Sequence, residues 1–226
     1  ASAGTLQTMT KMWSYTSTEV GQTAEISAFD ASTNTIWVAG VAGVDILNAR
    51  TGGLVQHIDT RQFGSINSVA IHNGIAAFAI EATTRTNAGI VQLYDTSTRN
   101  HSSGVNTINV GALPDMLTFT PDGKTLVVSR DRKGEEYPGL YLLDPKGGAL
   151  QEISHKAKVQ TQYLFTTDDS KWIYFRANDK KNDSYALYRY EIASKKVETV
   201  FEQDGIWAVA DHVGTDKLLL VKEVGS

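Results

Sequence analysis

Short apolar runs that alternate with polar positions and end at Gly, Asn, Asp or Ser recur along the chain, and helical periodicity is nearly absent. This pattern is typical of β-strands joined by tight turns. The clearest copy is residues 113–144, LPDMLTFTPDGKTLVVSRDRKGEEYPGLYLLD. It predicts a strand, a Pro-Asp-Gly turn, a second strand, a polar loop and a third strand that ends in Asp144. The rest of the sequence contains looser copies of this unit.

The repeat shows most clearly at the apolar residue that precedes each turn. Phe29, Ile71, Phe119 and Phe165 stand 42, 48 and 46 residues apart, and Ala210 follows after 45 more. A strongly apolar second strand follows each turn, and four copies continue with a third strand and a more polar fourth strand. Four antiparallel strands in a unit of about 40–50 residues are the signature of a β-propeller blade.

The sequence therefore predicts an all-β protein, a single β-propeller of five blades with four antiparallel strands each. We place the first four blades at residues 25–66, 67–111, 112–158 and 159–204, and we build the fifth from residues 205–226 together with 1–24. In this interpretation an N-terminal strand, residues 6–15, closes the ring. The alternative is an open stack of blades whose ends pair with another molecule. Closure predicts a monomer, and failed closure predicts a strand-exchanged dimer.

Charge and composition narrow the classes of function. The formal net charge is −4 and no basic cluster stands out, which argues against a nucleic-acid surface. No apolar run approaches the roughly 20 residues of a membrane helix. The chain has no cysteine, which excludes thiol chemistry but does not fix a compartment. We expect no required partner, no nucleic acid and no membrane.

A search for catalytic motifs finds no arrangement that would support catalysis. There is no G-x-S-x-G nucleophile elbow and no Gly-rich phosphate loop. The histidines do not have metal-ligand spacing, and we expect them at the surface or in turns: His57, His72, His101, His155 and His212. We therefore predict no enzyme activity, no catalytic residue and no cofactor.

Several acidic residues are better explained by structure than by chemistry. Asp131, Glu135 and Glu136 share a loop with basic residues, which indicates local charge compensation. Asp122 and the pair Asp168-Asp169 occupy turn positions, where carboxylates bond to backbone amides.

One set of polar residues emerges from the repeat itself. Four residues before each anchor stand Glu25, Asn67, Asp115 and Thr161, near the start of each innermost strand. In a closed propeller these positions would ring one mouth of the central channel. Such oxygen-rich rings suit hard cations. The alternative is that these side chains satisfy strand backbone groups and channel water.

The first half of the chain resembles a known family. Residues 66–95, INSVAIHNGIAAFAIEATTRTNAGIVQLYD, and residues 110–124, VGALPDMLTFTPDGK, are similar to the bacterial extracellular propeller domain called choice-of-anchor I. The segment AEISAFDASTNTIWVAG, residues 24–40, fits the same family. The resemblance covers roughly residues 4–124 and implies a secreted propeller, extracellular or periplasmic.

From about residue 125 the sequence resembles a different family. SRDRKGEEYPGLYLLD and YLFTTDDSKWIYFRANDKKNDSYALYRYEIASKKV are similar to the N-terminal propeller of prolyl oligopeptidase-like serine peptidases. In those enzymes the propeller covers an active site on a separate hydrolase domain. The nucleophile motif of that domain does not occur in this sequence, so the resemblance implies no catalytic residue.

Two resemblances that meet at one TPDGK turn, in a chain that begins ASAG without Met, favour a hybrid engineered from fragments of two propellers. A natural protein of mosaic similarity is the alternative. The functional hypothesis is a non-enzymatic scaffold. Its rivals are a natural extracellular ligand- or protein-binding propeller, and a substrate-gating propeller fragment of a serine peptidase.

Overall fold

The computed structural model describes residues 10–224, which form eighteen β-strands and no helix. The strands make four antiparallel sheets of four strands and one of two. The first sheet contains β1 (Ala24–Asp30), β2 (Thr35–Gly40), β3 (Gly43–Asn48) and β4 (Leu54–Asp59). The second contains β5 (Ser65–His72), β6 (Ile75–Glu81), β7 (Ala88–Asp95) and β8 (Thr107–Ala112).

The other sheets follow the same order along the chain. The third contains β9 (Pro114–Phe119), β10 (Leu126–Arg130), β11 (Gly139–Leu143) and β12 (Gln151–Ser154). The fourth contains β13 (Thr161–Thr166), β14 (Trp172–Lys181), β15 (Ser184–Glu191) and β16 (Lys196–Phe201). The fifth contains β17 (Trp207–Val213) and β18 (Lys217–Lys222). The number of sheets is consistent with the predicted five blades, but within residues 10–224 the fifth has two strands where four were predicted.

The second strands of the second, third and fourth sheets are apolar on both sides because both of their faces pack against other sheets. In β6, Phe78 and Ile80 belong to a cluster shared with the first sheet, whereas Ala77 belongs to a cluster shared with the third. A third cluster joins the third sheet to the fourth, with Val127 on one side and Phe175 on the other. The hydrophobic core is therefore a series of layers between neighbouring blades.

The fifth sheet is the exception. It packs on the fourth through the ring of Phe165, which stacks on His212 with 3.9 Å between centroids, and through Arg176, which donates to the carbonyl of Trp207 at 2.9 Å. Its other face is open, and Leu219 is 61% exposed. Among residues 10–224 the first and fifth sheets make no extensive contact. The structure thus supports the blades but not a clearly closed ring.

The predicted N-terminal strand is not formed over residues 10–15, and its first residues, 6–9, lie outside the described part of the chain. Residues 10–23 instead form an irregular segment against the first sheet, which we call the N-terminal strap. Its position is physically reasonable because β1–β4 present a free face that a neighbouring blade does not cover. The strap lies over this face, where Trp13 and Tyr15 border a cleft together with Ile36 and Leu47.

The strap is fixed at both ends. The indole of Trp13 donates to the carbonyl of Ala49 at 3.0 Å, and its ring lies over Gly52, where an added Cβ would come within 2.6 Å of it. At the other end the side-chain amide of Gln22 donates to the carbonyl of Gly43 at 3.1 Å and accepts from the amide of Ala42 at 2.7 Å.

The turn aspartates behave as the sequence predicts. Asp122 accepts bonds from the hydroxyl of Thr120 at 2.7 Å and the amide of Lys124 at 3.1 Å. Asp169 repeats this arrangement with Thr167 at 2.6 Å and Lys171 at 3.1 Å. At Asp122 burial acts to raise the pKa, but the hydrogen bonds to the ionised carboxylate outweigh it and the pKa is lowered. At Asp169 the same kind of hydrogen bonds lowers the pKa.

Within residues 10–224 no helix is long and apolar enough to cross a membrane.

The first prediction concerns the contact between the strap and Gly52. Gly52 and Gly104 both have positive φ, +72° and +89°, but an added Cβ meets Trp13 only at Gly52. Gly104→Ala should destabilise by about 1–2 kcal/mol, the cost of the left-handed backbone. Gly52→Ala should cost about 1–3 kcal/mol more because it overpacks the indole, as measured by urea unfolding. Equal losses at both sites, or a difference that persists with Trp13→Ala, would contradict the packing of the strap.

The second prediction concerns acid stability. Because the folded pKa of Asp122 and Asp169 is lowered, both favour folding above the unfolded value of about 3.9. That contribution is lost as the pH falls below this value and through the folded pKa. Urea unfolding at pH 6 and at successively lower pH should show a smaller acid loss in the Asp122→Asn/Asp169→Asn variant than in the parent. An unchanged pH dependence would show that these carboxylates do not contribute.

Candidate functional site

Irregular pairing near the start of the inner strands turns polar residues out of the sheet ladder. The register between β1 and β2 skips Glu25, that between β5 and β6 skips Asn67, and that between β9 and β10 skips Asp115. Each is therefore the extra residue of a β-bulge, a feature that re-aims a side chain and is frequent beside functional sites. Three of the four residues predicted to ring the channel mouth share this backbone feature.

Asn67 and Asp115 meet in one cleft between the second and third sheets, which we call the mouth cleft. Its volume is about 240 Å³. The cleft is lined by residues of the inner strands β5 and β9, the residue before β9, the end of β6 with the loop after it, and the loop after β10: Asn67, Glu81, Arg85, Leu113, Asp115, Asp131, Glu136 and Pro138.

Hydrogen bonds across the mouth cleft hold its two walls together. The side-chain amide of Asn67 donates through Nδ2 to the carboxylate of Glu81 at 3.1 Å. The same nitrogen donates to the carbonyl of Pro114 in the next blade, also at 3.1 Å. At the rim, the guanidinium of Arg85 lies 4.0 Å from the carboxylate of Glu136. Asn67 is thus a structural link between blades as well as a lining residue.

Asp131 holds the loop that forms one wall of the cleft. Its carboxylate is buried and accepts bonds from the backbone amides of Arg132 and Glu136 at 2.6 Å and of Tyr137 at 3.3 Å. The structural explanation from the sequence was right for this residue, but the mechanism differs. Backbone amides, rather than neighbouring basic side chains, satisfy the charge.

The other two predicted ring residues lie elsewhere. Glu25 borders the cleft beneath the strap, and Thr161 is buried, with its amide donating to Pro138 at 3.1 Å. The matching turns of Thr120–Lys124 and Thr167–Lys171 show that Phe165 was aligned one residue out of register with Phe119. The correct alignment pairs Asp115 with Gln162, one residue after Thr161. The bulge of β13 lies at Leu164.

The chemistry of the mouth cleft is that of a binding surface. Its lining has four carboxylates and one guanidinium, without serine, threonine, cysteine or histidine. It therefore offers hydrogen-bond acceptors and negative charge but no hydroxyl, thiol or imidazole nucleophile. Within residues 10–224 no three His, Cys, Asp or Glu side chains are close enough to share a metal ion.

A second polar arrangement lies beneath the N-terminal strap. The ring of His57 bonds through Nδ1 to the buried carboxylate of Asp45 at 2.6 Å. Burial raises the pKa of the nearby Tyr15 hydroxyl, and Asp45 adds to the effect. Ser27 borders the cleft beneath the strap, but within residues 10–224 the Nε2 atom of His57 has no hydrogen-bond partner, so this serine does not complete the pair. The expectation that histidines lie at the surface or in turns was wrong at His155, which is buried, whereas His57 is partly exposed.

Sequence reasoning missed Glu81, Arg85 and the Asp45–His57 pair. One signal was available, because Asp45 interrupts an otherwise apolar third strand, GVDILN. A charged residue at such a position needs a partner when it is buried. The approach of Glu81 to Asn67 depends on the packing between strands and carries no comparable signal.

Five consecutive antiparallel sheets with interblade cores and a polar inner mouth define a protein of the β-propeller class. A family model described as the choice-of-anchor I domain matches residues 25–204. The chain belongs to this family, so the resemblance noted for its first half is confirmed. No curated protein matches the chain.

Solved structures support the fold. The chain is similar to the tricorn protease (TM-score 0.63, 16% identity), covering 84% of this chain and 18% of that one. It is similar to a protein described as TolB from Agrobacterium tumefaciens, with a TM-score of 0.59 and 13% identity. The match covers 83% of this chain and 65% of that one. The chain is also similar to the β-propeller domain of Cps50 (Swd1) from Myceliophteria thermophila, with a TM-score of 0.60 and 12% identity. The match covers 90% of this chain and 64% of that one. The chain spans less than two thirds of each, and such low identity shows the fold alone.

The loop that forms one wall of the mouth cleft yields a prediction. Asp131→Ala removes the acceptor for three backbone amides and should destabilise the protein by about 1–3 kcal/mol in urea unfolding. Glu135→Ala in the same loop is the control and should have little effect, because Glu135 is exposed. Similar losses for both variants would contradict the role of Asp131 in holding the loop.

Proposed function

We propose that this chain is a non-catalytic β-propeller that acts as a binding domain, with the mouth cleft as its ligand-binding surface and a cationic group as the preferred ligand. The observation that carries this proposal is the placement of two inner-strand bulges, at Asn67 and Asp115, in one cleft with Glu81. Bulges expose these side chains, and the carboxylates supply the charge.

The absence of catalysis is part of the proposal. The mouth cleft is not lined by serine, threonine, cysteine or histidine, and the sequence has no nucleophile elbow. The tricorn protease is a protease by its name, but a likeness of fold does not transfer an activity. We therefore favour a binding domain over a substrate-gating fragment of a peptidase.

The origin of the chain is also a matter of inference. The engineered-hybrid hypothesis placed a junction near residue 124. The family match runs continuously from residue 25 to 204, so a single natural ancestry accounts for both halves more simply. We therefore favour the natural binding propeller over the designed hybrid. Extracellular location and a monomeric state stay predictions.

Titration of the ¹⁵N-labelled protein with calcium chloride, and separately with trilysine, tests the proposal. The amide resonances of Asn67 and Asp115 should shift in a saturable manner with at least one of these probes. Asp115→Asn should weaken that binding about tenfold, because a charge-assisted contact is lost. Glu198→Gln, a solvent-exposed site on β16, is the control and should bind as the parent does. Saturable shifts that do not include the mouth cleft, or no shifts with either probe, would refute the proposed site.

A further inference from the structure

A second cleft lies on the outer side of the molecule, between the third and fourth blades, and is separate from the mouth cleft. We call it the outer cleft; its volume is about 220 Å³. Its floor is apolar, with Ile153, Phe175 and Ala177 all buried. Its polar lining comes from the end of β12 and from β14 and β15: Glu152, His155, Lys156, Asp179 and Tyr188.

Asp179 is the centre of this polar lining. Its side chain is only 6% exposed. One carboxylate oxygen accepts the hydroxyl of Tyr188 at 2.5 Å, and the other accepts the ammonium of Lys156 at 2.5 Å. Burial acts to raise the pKa of Asp179, but the bonds from Lys156 and Tyr188 outweigh it, and the pKa is lowered. The cleft therefore contains a fixed negative charge at neutral pH.

The two donors to Asp179 differ in how firmly they are held. Tyr188 is a buried residue of β15, and burial followed by the proximity of Asp179 raises the pKa of its hydroxyl, so it remains a donor. Lys156 follows β12 in the loop before β13, and its side chain is 62% exposed. A lysine ammonium on a flexible, solvated stem can be replaced by another ammonium that bonds to the same carboxylate.

From this asymmetry we infer that the outer cleft binds a small primary amine with an apolar body, whose ammonium takes the place of the Lys156 ammonium on Asp179. The apolar body would lie on Ile153 and Phe175. Tyr188 already occupies one carboxylate oxygen, so a single-point ammonium fits better than a guanidinium that needs both. The volume is below the roughly 300–1,000 Å³ of pockets for drug-sized ligands, which favours a small molecule.

The carboxylate of Asp179 favours a cation in the outer cleft. Once Lys156 is displaced, Asp179 remains as a buried acidic group, whereas Glu152 is already paired with Arg132 at 3.4 Å. Burial, followed by Arg132 and Arg130, lowers the pKa of His155, so this imidazole is neutral at pH 7 and does not repel an ammonium group. The competing explanation is that Lys156–Asp179 only ties the third blade to the fourth.

An NMR titration with n-butylamine, n-hexylamine and 1-hexanol at constant ionic strength separates the two explanations. In Lys156→Ala, hexylamine should bind at least about tenfold more tightly than in the parent, because the internal competitor is removed. Each added methylene that is buried should tighten binding about fourfold. Hexanol has the same apolar body without the charge and should bind much more weakly.

Lys158→Ala is the matched control, since Lys158 is exposed in the same loop and forms no salt bridge with any of residues 10–224. This variant should bind hexylamine as the parent does. Asp179→Asn in the Lys156→Ala background should abolish amine binding. If that variant does not fold, the comparison of hexylamine with hexanol on Lys156→Ala still distinguishes amine binding from a purely structural salt bridge. Equal binding of the two probes, or no gain from removing Lys156, would overturn the inference.

Discussion

Burial of each blade between two neighbours is the constraint on which the structure depends. A strand in the middle of such a sheet must be apolar on both faces, and β6 meets this demand with Phe78 toward one neighbour and Ala77 toward the other. An aromatic contact crosses from Trp37 of the first blade to Phe78 of the second at 5.9 Å, and a further contact within the second blade joins Phe78 to Tyr94 at 5.0 Å. Because each blade contacts mainly its neighbours, stability is a sum of such interfaces.

The same constraint explains what happens at the ends of the stack. The fifth sheet has a neighbour on one side only, so an apolar strand such as β18 leaves Leu219 exposed. At the opposite end the strap takes the place of a neighbour and covers part of the first sheet with Trp13 and Tyr15. The buried carboxylate of Asp45 is tolerated there because it bonds to the ring of His57.

Two polar clefts of this structure lie where the packing between neighbouring blades is interrupted. At the inner mouth, bulges release Asn67 and Asp115 from the ladder. At the outer seam, the third and fourth blades separate enough to leave a cleft with one buried carboxylate, Asp179. Both clefts are lined by residues from two blades. A single repeat therefore does not show which residues meet in them.

The sequence alone determined the strands, their order and the repeat, because period-two alternation and turn residues such as Asp122 and Asp169 act locally. It also identified the bulge residues Glu25, Asn67 and Asp115 as special, although it grouped Thr161 with them through a one-residue error of alignment. Tertiary structure decided the rest. The position of Trp13 on the first blade, the separation of Glu25 from Asn67 and the meeting of Lys156 with Asp179 depend on how blades pack, and no local pattern encodes the distance between residues on different sheets.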